Sequence, residues 1–456
     1  MKIAILGAAG VRTPLIVQAM IARQARMGLT DLALMDIDGE RLDLIAALTA
    51  PLEHRAQMKF RITRTTDARA ALSGADFVIT TFRVGGIESR MIDERVPLNH
   101  GVLGQETTGP GGFAMALRTI PVLLDYVEMM REVCPAAWLI NFANPAGLLA
   151  EAVTRVAGWP RAVGICDAPS EMRRVAAAVI GAPADDIYLD YFGLNHLGWI
   201  RSILHNGRDH LPELIEMLRA AGGMPGLPFD IDLIASLGMI PNEYLYYYYS
   251  NTQAVQNILT AGHSRGEHIA ALNQRLFTDL RRLRAEEDVD GMLAAYRTYL
   301  EQRGQTYMVD ETGQGHDLSQ LDPAMVEALS GEGYAGVALE LMEALIGARP
   351  RQTIVNVPNR GSIHGMADDD VVEIPAFVGR DLIRPLAVGR IPDHCLGLLK
   401  QVKAYERLTI EAAVAGSYST ALLALSTHPL VRDRATAKII LDEYRAKHGS
   451  FFPALN

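Results

Sequence analysis

The sequence is poor in cysteine, in aromatic residues and in long apolar runs, and it carries no excess of basic charge. Three cysteines in 456 residues, Cys134, Cys166 and Cys395, are odd in number and far apart. That excludes a disulfide framework and points to a reducing compartment. No apolar stretch approaches the length needed to cross a bilayer, and Met1–Leu6 lacks the regions of a secretion signal. With 43 Lys and Arg against 53 Asp and Glu the formal charge is −10, and no basic run stands out, so a nucleic-acid surface is not expected. The remaining reading is a cytoplasmic globular protein, long enough for a dinucleotide domain and a larger second domain that share an interface.

What is present begins at the first residues. Lys2-Ile3-Ala4-Ile5-Leu6 reads as an apolar strand, followed by Gly7-Ala8-Ala9-Gly10-Val11-Arg12-Thr13-Pro14 and a helix. A strand, a glycine turn and a helix N-terminus, in that order, suit a pyrophosphate, and Gly7, Gly10, Val11, Arg12 and Thr13 would line it. Leu32 to Met35 forms a second strand ending in Asp36. An acid there can accept hydrogen bonds from both ribose hydroxyls of NAD and repels the extra phosphate of NADP. Further strands are expected at Phe60–Thr63, Phe77–Thr81, Trp138–Phe142 and Ala162–Cys166, so the first half reads as a doubly wound sheet ending near Cys166. Asn144 and Cys166-Asp167 would then lie at strand ends, where open α/β sheets place their ligands.

A further strand, Tyr188–Phe192, leads into a glycine-rich turn carrying His196. A thiolate and an imidazole at two strand ends make two ligands for a divalent metal and leave positions for a substrate. Read alone, the pair is equally a buried small hydrophobe and a hydrogen-bonded core histidine. Cys134 and Cys395 read as structural. In the second half, Ile240 to Tyr249 packs five tyrosines into ten residues, which suggests an amphipathic helix with phenols at its rim. A long charged helix follows Gly262–Glu267, short strands are expected at Val355–Asn359 and Val371–Pro375, and helices run from about Leu396 to the end.

Several blocks together resemble glycoside hydrolase family 4, the NAD- and divalent-metal-dependent glycosidases, and within it the 6-phospho-β-glucosidases. They are Val84-Gly85-Gly86 with Arg90, Gly104 to Gly109, Asn141 to Pro145, Gly164-Ile165-Cys166-Asp167, Gly193-Leu194-Asn195-His196, Ile240-Pro241 with Tyr244-Leu245, Arg265-Gly266-Glu267 and Asn356-Val357-Pro358-Asn359. The resemblance implies an α/β protein with a Rossmann-like (lactate/malate-dehydrogenase-like) NAD domain over residues 1–166. A mainly helical α+β domain over 167–456 would bind substrate and metal and form a homodimer or homotetramer. It implies oxidation at carbon 3 of the sugar by NAD, elimination of the aglycone, addition of water and re-reduction, an exception to the two-carboxylate scheme of most glycosidases.

By the same resemblance, Cys166 and His196 hold a metal, manganese by expectation. Tyr244 is the base at carbon 2, its pKa depressed by that metal's charge. Asp167 is the proton donor, and Glu106 raises the basicity of the tyrosine. Arg83 and Asn144 contact the cofactor; Arg90, Asn144 and Arg265 contact the substrate, a 6-phosphorylated sugar. The chain departs from the family where Tyr246 stands in place of an arginine expected two residues beyond Tyr244. The alternatives are an α-specific or non-phosphorylated glycosidase of the same family, or a 2-hydroxyacid dehydrogenase of the same fold, which would accumulate NADH.

Overall fold

A computed structural model describes residues 1–55, 59–223, 227–313 and 333–456. Six parallel strands form the first half: β1 (Lys2–Leu6), β2 (Asp31–Met35), β3 (Arg61–Thr65), β4 (Phe77–Thr80), β5 (Trp138–Asn141) and β6 (Ala162–Gly164). Their order is β3-β2-β1-β4-β5-β6, the Rossmann order, which reverses direction between β1 and β4 and opens a crevice at their carboxyl ends. The central strands β1, β4 and β5 are buried almost throughout, as strands covered by helices on both faces must be, whereas the edge strand β3 is largely exposed.

The sheet does not end near Cys166. It continues through β11 (Arg351–Pro358), β12 (Val371–Gly379), β7 (Tyr188–Leu194), β8 (Leu197–His205) and β10 (Ile240–Pro241), with β9 (Arg208–Asp209) and β13 (Leu382–Pro385) beside it. The junction is antiparallel, with Asn356 opposite Gly164. An apolar β6 left as an edge would expose unpaired N–H and C=O groups, and β11 covers them. The strands expected at Val355–Asn359 and Val371–Pro375 are therefore parts of a longer paired hairpin inside the main sheet.

A second apolar cluster lies apart from the sheet. Leu44, Ile45 and Leu48 of the helix Gly39–Arg55 pack against Ile269, Leu276 and Leu280 of the helix Arg265–Ala285, with Tyr296 and Tyr299 of the helix Val289–Gln305. This cluster holds two helices of the second half over the crevice of the first. Arg265 is the first residue of its helix because Ser264 and Glu267 form a capping box: the Ser264 N–H donates to Glu267 at 2.8 Å and the Glu267 N–H to Ser264 at 3.3 Å. No helix among the described residues is long and apolar enough to cross a membrane. All three cysteines are free and buried.

On the far side of the sheet Lys403 is buried, its ammonium 2.6 Å from the fully buried Glu151 carboxylate, which also accepts from the Val371 N–H at 2.9 Å. Among the described residues, replacing Lys403 by Met leaves Glu151 with only the partly exposed Arg407 as counter-charge, at 3.2 Å. Lys403→Met is therefore expected to destabilise by about 3–5 kcal/mol, read as a large fall in Tm; an unchanged Tm would show the pair to be neutral.

Candidate active site

One cavity of about 1580 Å³ runs from the β1 turn to the helices of the second half. It is lined by Gly7, Gly10, Val11, Arg12, Thr13, Asp36, Arg83 and Asn144, and equally by Arg90, Glu106, Cys166, Asp167, His196, Tyr244 and Arg265. Thus the residues expected to bind cofactor, metal and substrate and to act on it all line a single space.

At the dinucleotide end Gly7 has φ 94°, and a Cβ there would sit 2.4 Å from the Phe82 nitrogen, so only glycine lets β1 turn this tightly. Two consecutive amides, of Gly7 and Ala8, donate to the Met35 carbonyl at 2.9 Å. The helix Thr13–Met27 starts with a proline in its first turn, no acidic residue there and no side-chain cap. The Thr13, Leu15 and Ile16 N–H groups donate to the Gly10 and Arg12 carbonyls, so what the helix start offers an anion is the positive end of its dipole, on the cavity wall. Asp36 accepts from the Ala9 N–H at 2.9 Å through one oxygen and from the Asp38 N–H at 3.0 Å through the other. Each carboxylate oxygen keeps a second lone pair for a ribose hydroxyl.

Cys166 follows the end of β6, and Asp167 is the N-cap of the helix Ala168–Ile180. The thiol donates to Asp167 at 3.8 Å, and Asp167 meets Arg12 of the dinucleotide turn at 3.7 Å. Burial pushes the Cys166 thiol well up, and the charges of Asp167 and Glu373 push the same way. A thiolate there requires a cation beside it. His196 lies in the turn between β7 and β8 with φ 63°, left-handed backbone unusual for a residue with a Cβ. Its Nδ1 is buried without a hydrogen-bond partner. Burial lowers its pKa to about 4, against a smaller upward pull from Glu106, so at neutral pH the imidazole keeps a free lone pair. An orphaned imidazole nitrogen and a thiol that needs a cation fit a divalent metal. Among the described residues no third His, Cys, Asp or Glu completes a cluster with them, which leaves further coordination positions to water or substrate.

Tyr244 lies flat on His196, ring centroids 3.6 Å apart and planes 9° from parallel. It is not on the amphipathic helix the tyrosine run suggested. Asn242 caps a short 3-10 turn Glu243–Leu245 by accepting from the Tyr244 N–H at 3.0 Å, and the helix Tyr246–Tyr249 is only one turn. The local cap sets Tyr244 apart from its neighbours: Tyr246 is buried near Phe229, ring centroids 6.5 Å apart. The Tyr307 hydroxyl lies 2.5 Å from the Tyr244 hydroxyl and 3.4 Å from the Glu243 carboxylate, either of which can accept its one proton. Burial holds the Tyr244 phenol well above its ordinary value, with Tyr307 and Glu243 adding to it. The protein alone therefore opposes ionisation of this phenol, and the depression expected from the sequence has to come entirely from a cation.

The other end of the cavity is built from arginines. Burial alone would raise the Glu106 carboxyl, but Arg90, at 2.8 Å, Arg83 and Arg303 hold it well below the usual carboxylate range. Glu106 is thus a fixed anion clamped between two guanidinium groups. Glu94 takes the other side of Arg90 at 2.8 Å and the Gly266 N–H at 2.5 Å. Arg265 donates to the Arg303 carbonyl at 2.6 Å and to Thr306. Arg303 donates to the Tyr299 hydroxyl at 3.0 Å and forms no ion pair among the described residues. Both Arg265 and Arg303 line the cavity.

Sequence reading missed Arg303, Tyr307 and the buried Glu373, which accepts from Tyr191, Asn195 and Asn356 at 2.7, 3.2 and 2.9 Å and so ties the His196 turn to the sheet. Only Asn195 and Asn356, inside the resembling blocks, signalled that network.

The model of the family 4 glycosyl hydrolases matches residues 2–181, and that of their C-terminal domain matches residues 191–431. The chain belongs to glycosyl hydrolase family 4. It is 32% identical to a probable 6-phospho-β-glucosidase of Bacillus subtilis, over 99% of this chain and 97% of that one. The structure of the 6-phospho-β-glucosidase of Thermotoga maritima with manganese, NAD⁺ and glucose 6-phosphate aligns with a TM-score of 0.82 and 28% identity, over 99% of this chain and 100% of the other. A 6-phospho-α-glucosidase from gut microorganisms, in complex with NAD and Mn²⁺, aligns with a TM-score of 0.84 and 27% identity, over 100% and 99% of the two chains. Both anomeric classes therefore share this fold.

Proposed function

We propose that this glycosyl hydrolase cleaves 6-phospho-β-glucosides, using NAD and a divalent metal, manganese by analogy with the relatives crystallised with it. The observation that carries the reading is the stack of His196 on Tyr244, with His196 Nδ1 unpartnered and Cys166 lining the same cavity as the dinucleotide turn. Residues 1–166 form the NAD half and 167–456 the substrate half, which the run of parallel strands up to Gly164 supports. Bound in this cavity, NAD supplies a hydride acceptor and the metal a Lewis acid.

The chain's own residues do the rest. Gly7, Gly10, Val11, Arg12 and Thr13 cradle the pyrophosphate; Asp36 takes the ribose; Arg83 and Asn144 complete the cofactor contacts. Cys166 and His196 hold the metal. Arg90 and Asn144 orient the sugar. Tyr244 removes the proton from carbon 2, Asp167 protonates the departing oxygen, and Glu106 fixes the arginines around both. Arg265 and Arg303 take the 6-phosphate. Arg303 supplies from the helix Val289–Gln305 the cation that Tyr246 does not, and a guanidinium without a carboxylate partner suits a phosphate dianion. We further propose a cytoplasmic homodimer or homotetramer, supported by the exposed Val414, Leu423 and Ile439 on the C-terminal helices.

The test is a panel of 4-nitrophenyl α- and β-glucosides, with and without 6-phosphate, assayed with NAD and manganese. Turnover of the 6-phospho-β-glucoside without net NADH is expected, and Arg303→Met should lower its kcat/KM by about 10- to 100-fold while sparing unphosphorylated substrates. Net NADH accumulation would favour a dehydrogenase, and preference for the α anomer would correct the stereochemistry.

A further inference from the structure

The helix Ala168–Ile180 separates the active-site cavity from a second, smaller pocket of about 160 Å³. Glu171, Met172 and Val175 of this helix line the large cavity, whereas Ser170 and Arg173 face the small one. Arg349, two residues before β11, and Arg351, its first residue, line it as well, and Asp185 is the carboxylate on its wall. Two of the three guanidinium groups have partners: Arg349 reaches Asp185 at 2.7 Å, and Arg351 pairs with Glu340. Arg173 forms no ion pair among the described residues; it donates to the Gln352 carbonyl at a long 3.4 Å. The Nε atoms of both Arg173 and Arg351 are buried without an acceptor.

This arrangement is unfavourable as it stands. A buried donor on a charged group loses its hydration and regains nothing, a larger penalty than for a neutral donor. Burial pulls the Arg173 guanidinium below its ordinary value; Glu340 and Asp185 oppose this, while Arg351 and Arg174 add to it. Three cations against Asp185 and Glu340 leave an unbalanced positive charge. The volume is well below the roughly 300–1,000 Å³ of pockets for larger organic ligands, so what the pocket admits is a small ion or the tip of a larger molecule. A tetrahedral oxyanion offers the several acceptor oxygens that two guanidinium forks require.

We propose that this pocket binds a phosphate group through Arg173 from the helix and Arg351 from β11, with the exposed Arg349 at its entrance. The site is separate from the phosphate locus assigned to Arg265 and Arg303, and the inference stands without that reading. Isothermal titration of inorganic phosphate into the NAD-loaded enzyme tests it. Binding at a site additional to the active-site cavity is expected. Arg173→Met and the surface variant Arg349→Gln should each weaken that additional site by about tenfold or more, and Arg173→Lys, which keeps the charge but not the fork, should weaken it too. Arg265→Met should leave it unchanged while removing the active-site binding. Phosphate binding that disappears with Arg265→Met alone and is untouched by Arg173→Met and Arg349→Gln would overturn the proposal. Binding lost with Arg173→Met but not with Arg265→Met would uphold it and sink the active-site phosphate reading instead. A parallel titration with glucose 6-phosphate distinguishes the sources: competition at the same site identifies the phosphoryl group of an ester, and its absence identifies the free ion.

Discussion

Cys166→Ser and His196→Asn are each expected to lower kcat/KM by more than about 100-fold, the upper range for losing even an outer partner of a metal ligand, with the fold retained. Asparagine is the informative replacement at 196, because the left-handed backbone there, φ 63°, tolerates Asn better than Ala. The Asn variant keeps the turn between β7 and β8 and removes only the imidazole. Manganese affinity, followed by electron paramagnetic resonance, should fall in parallel with activity for both variants. The protein's own electrostatics give the reason for so large an effect. Burial disfavours the Cys166 thiolate, and the nearby Asp167 and Glu373 charges disfavour it further, so the ionised sulfur and the metal exist only together. Full activity in either variant would remove the pair from the metal site.

Tyr244→Phe is expected to lower kcat by about 10²- to 10⁴-fold with little change in KM, because the ring and its stack on His196 persist and only the hydroxyl is lost. Incorporation of solvent deuterium at carbon 2 of the product should fall with kcat, since it reports the same proton removal. Tyr307→Phe provides the comparison. Its hydroxyl lies 2.5 Å from that of Tyr244 and holds the phenol in place, so its loss should cost less than loss of Tyr244. Should Tyr307→Phe prove the more damaging of the two, the base belongs on Tyr307.

The sequence carried the dinucleotide half because its signals are local. Apolar runs of four or five residues bounded by glycine, with Asp36, Asn144 and Cys166 just after them, mark strand ends directly, and a parallel sheet turns those ends to one side. The family motifs likewise named His196, Tyr244 and Arg265. The continuation of the sheet beyond Cys166 was not legible, since Asn356 and Gly164 pair across almost two hundred positions and no periodicity records a partner. Nor was the environment of Tyr244: a run of tyrosines looks helical until the Asn242 cap separates one ring from the rest. Arg303 and Tyr307 illustrate the limit most clearly. On a charged helix an arginine reads as a solvated side chain, and only the packing of Tyr296 and Tyr299 against the helix Gly39–Arg55 brings Arg303 into the cavity, half-buried and with no ion pair among the described residues. Sequence by itself determined which chemistry the chain could carry; the tertiary structure decided which charges meet the substrate, because burial and long-range contacts, unlike strand ends and caps, are set by the whole chain at once.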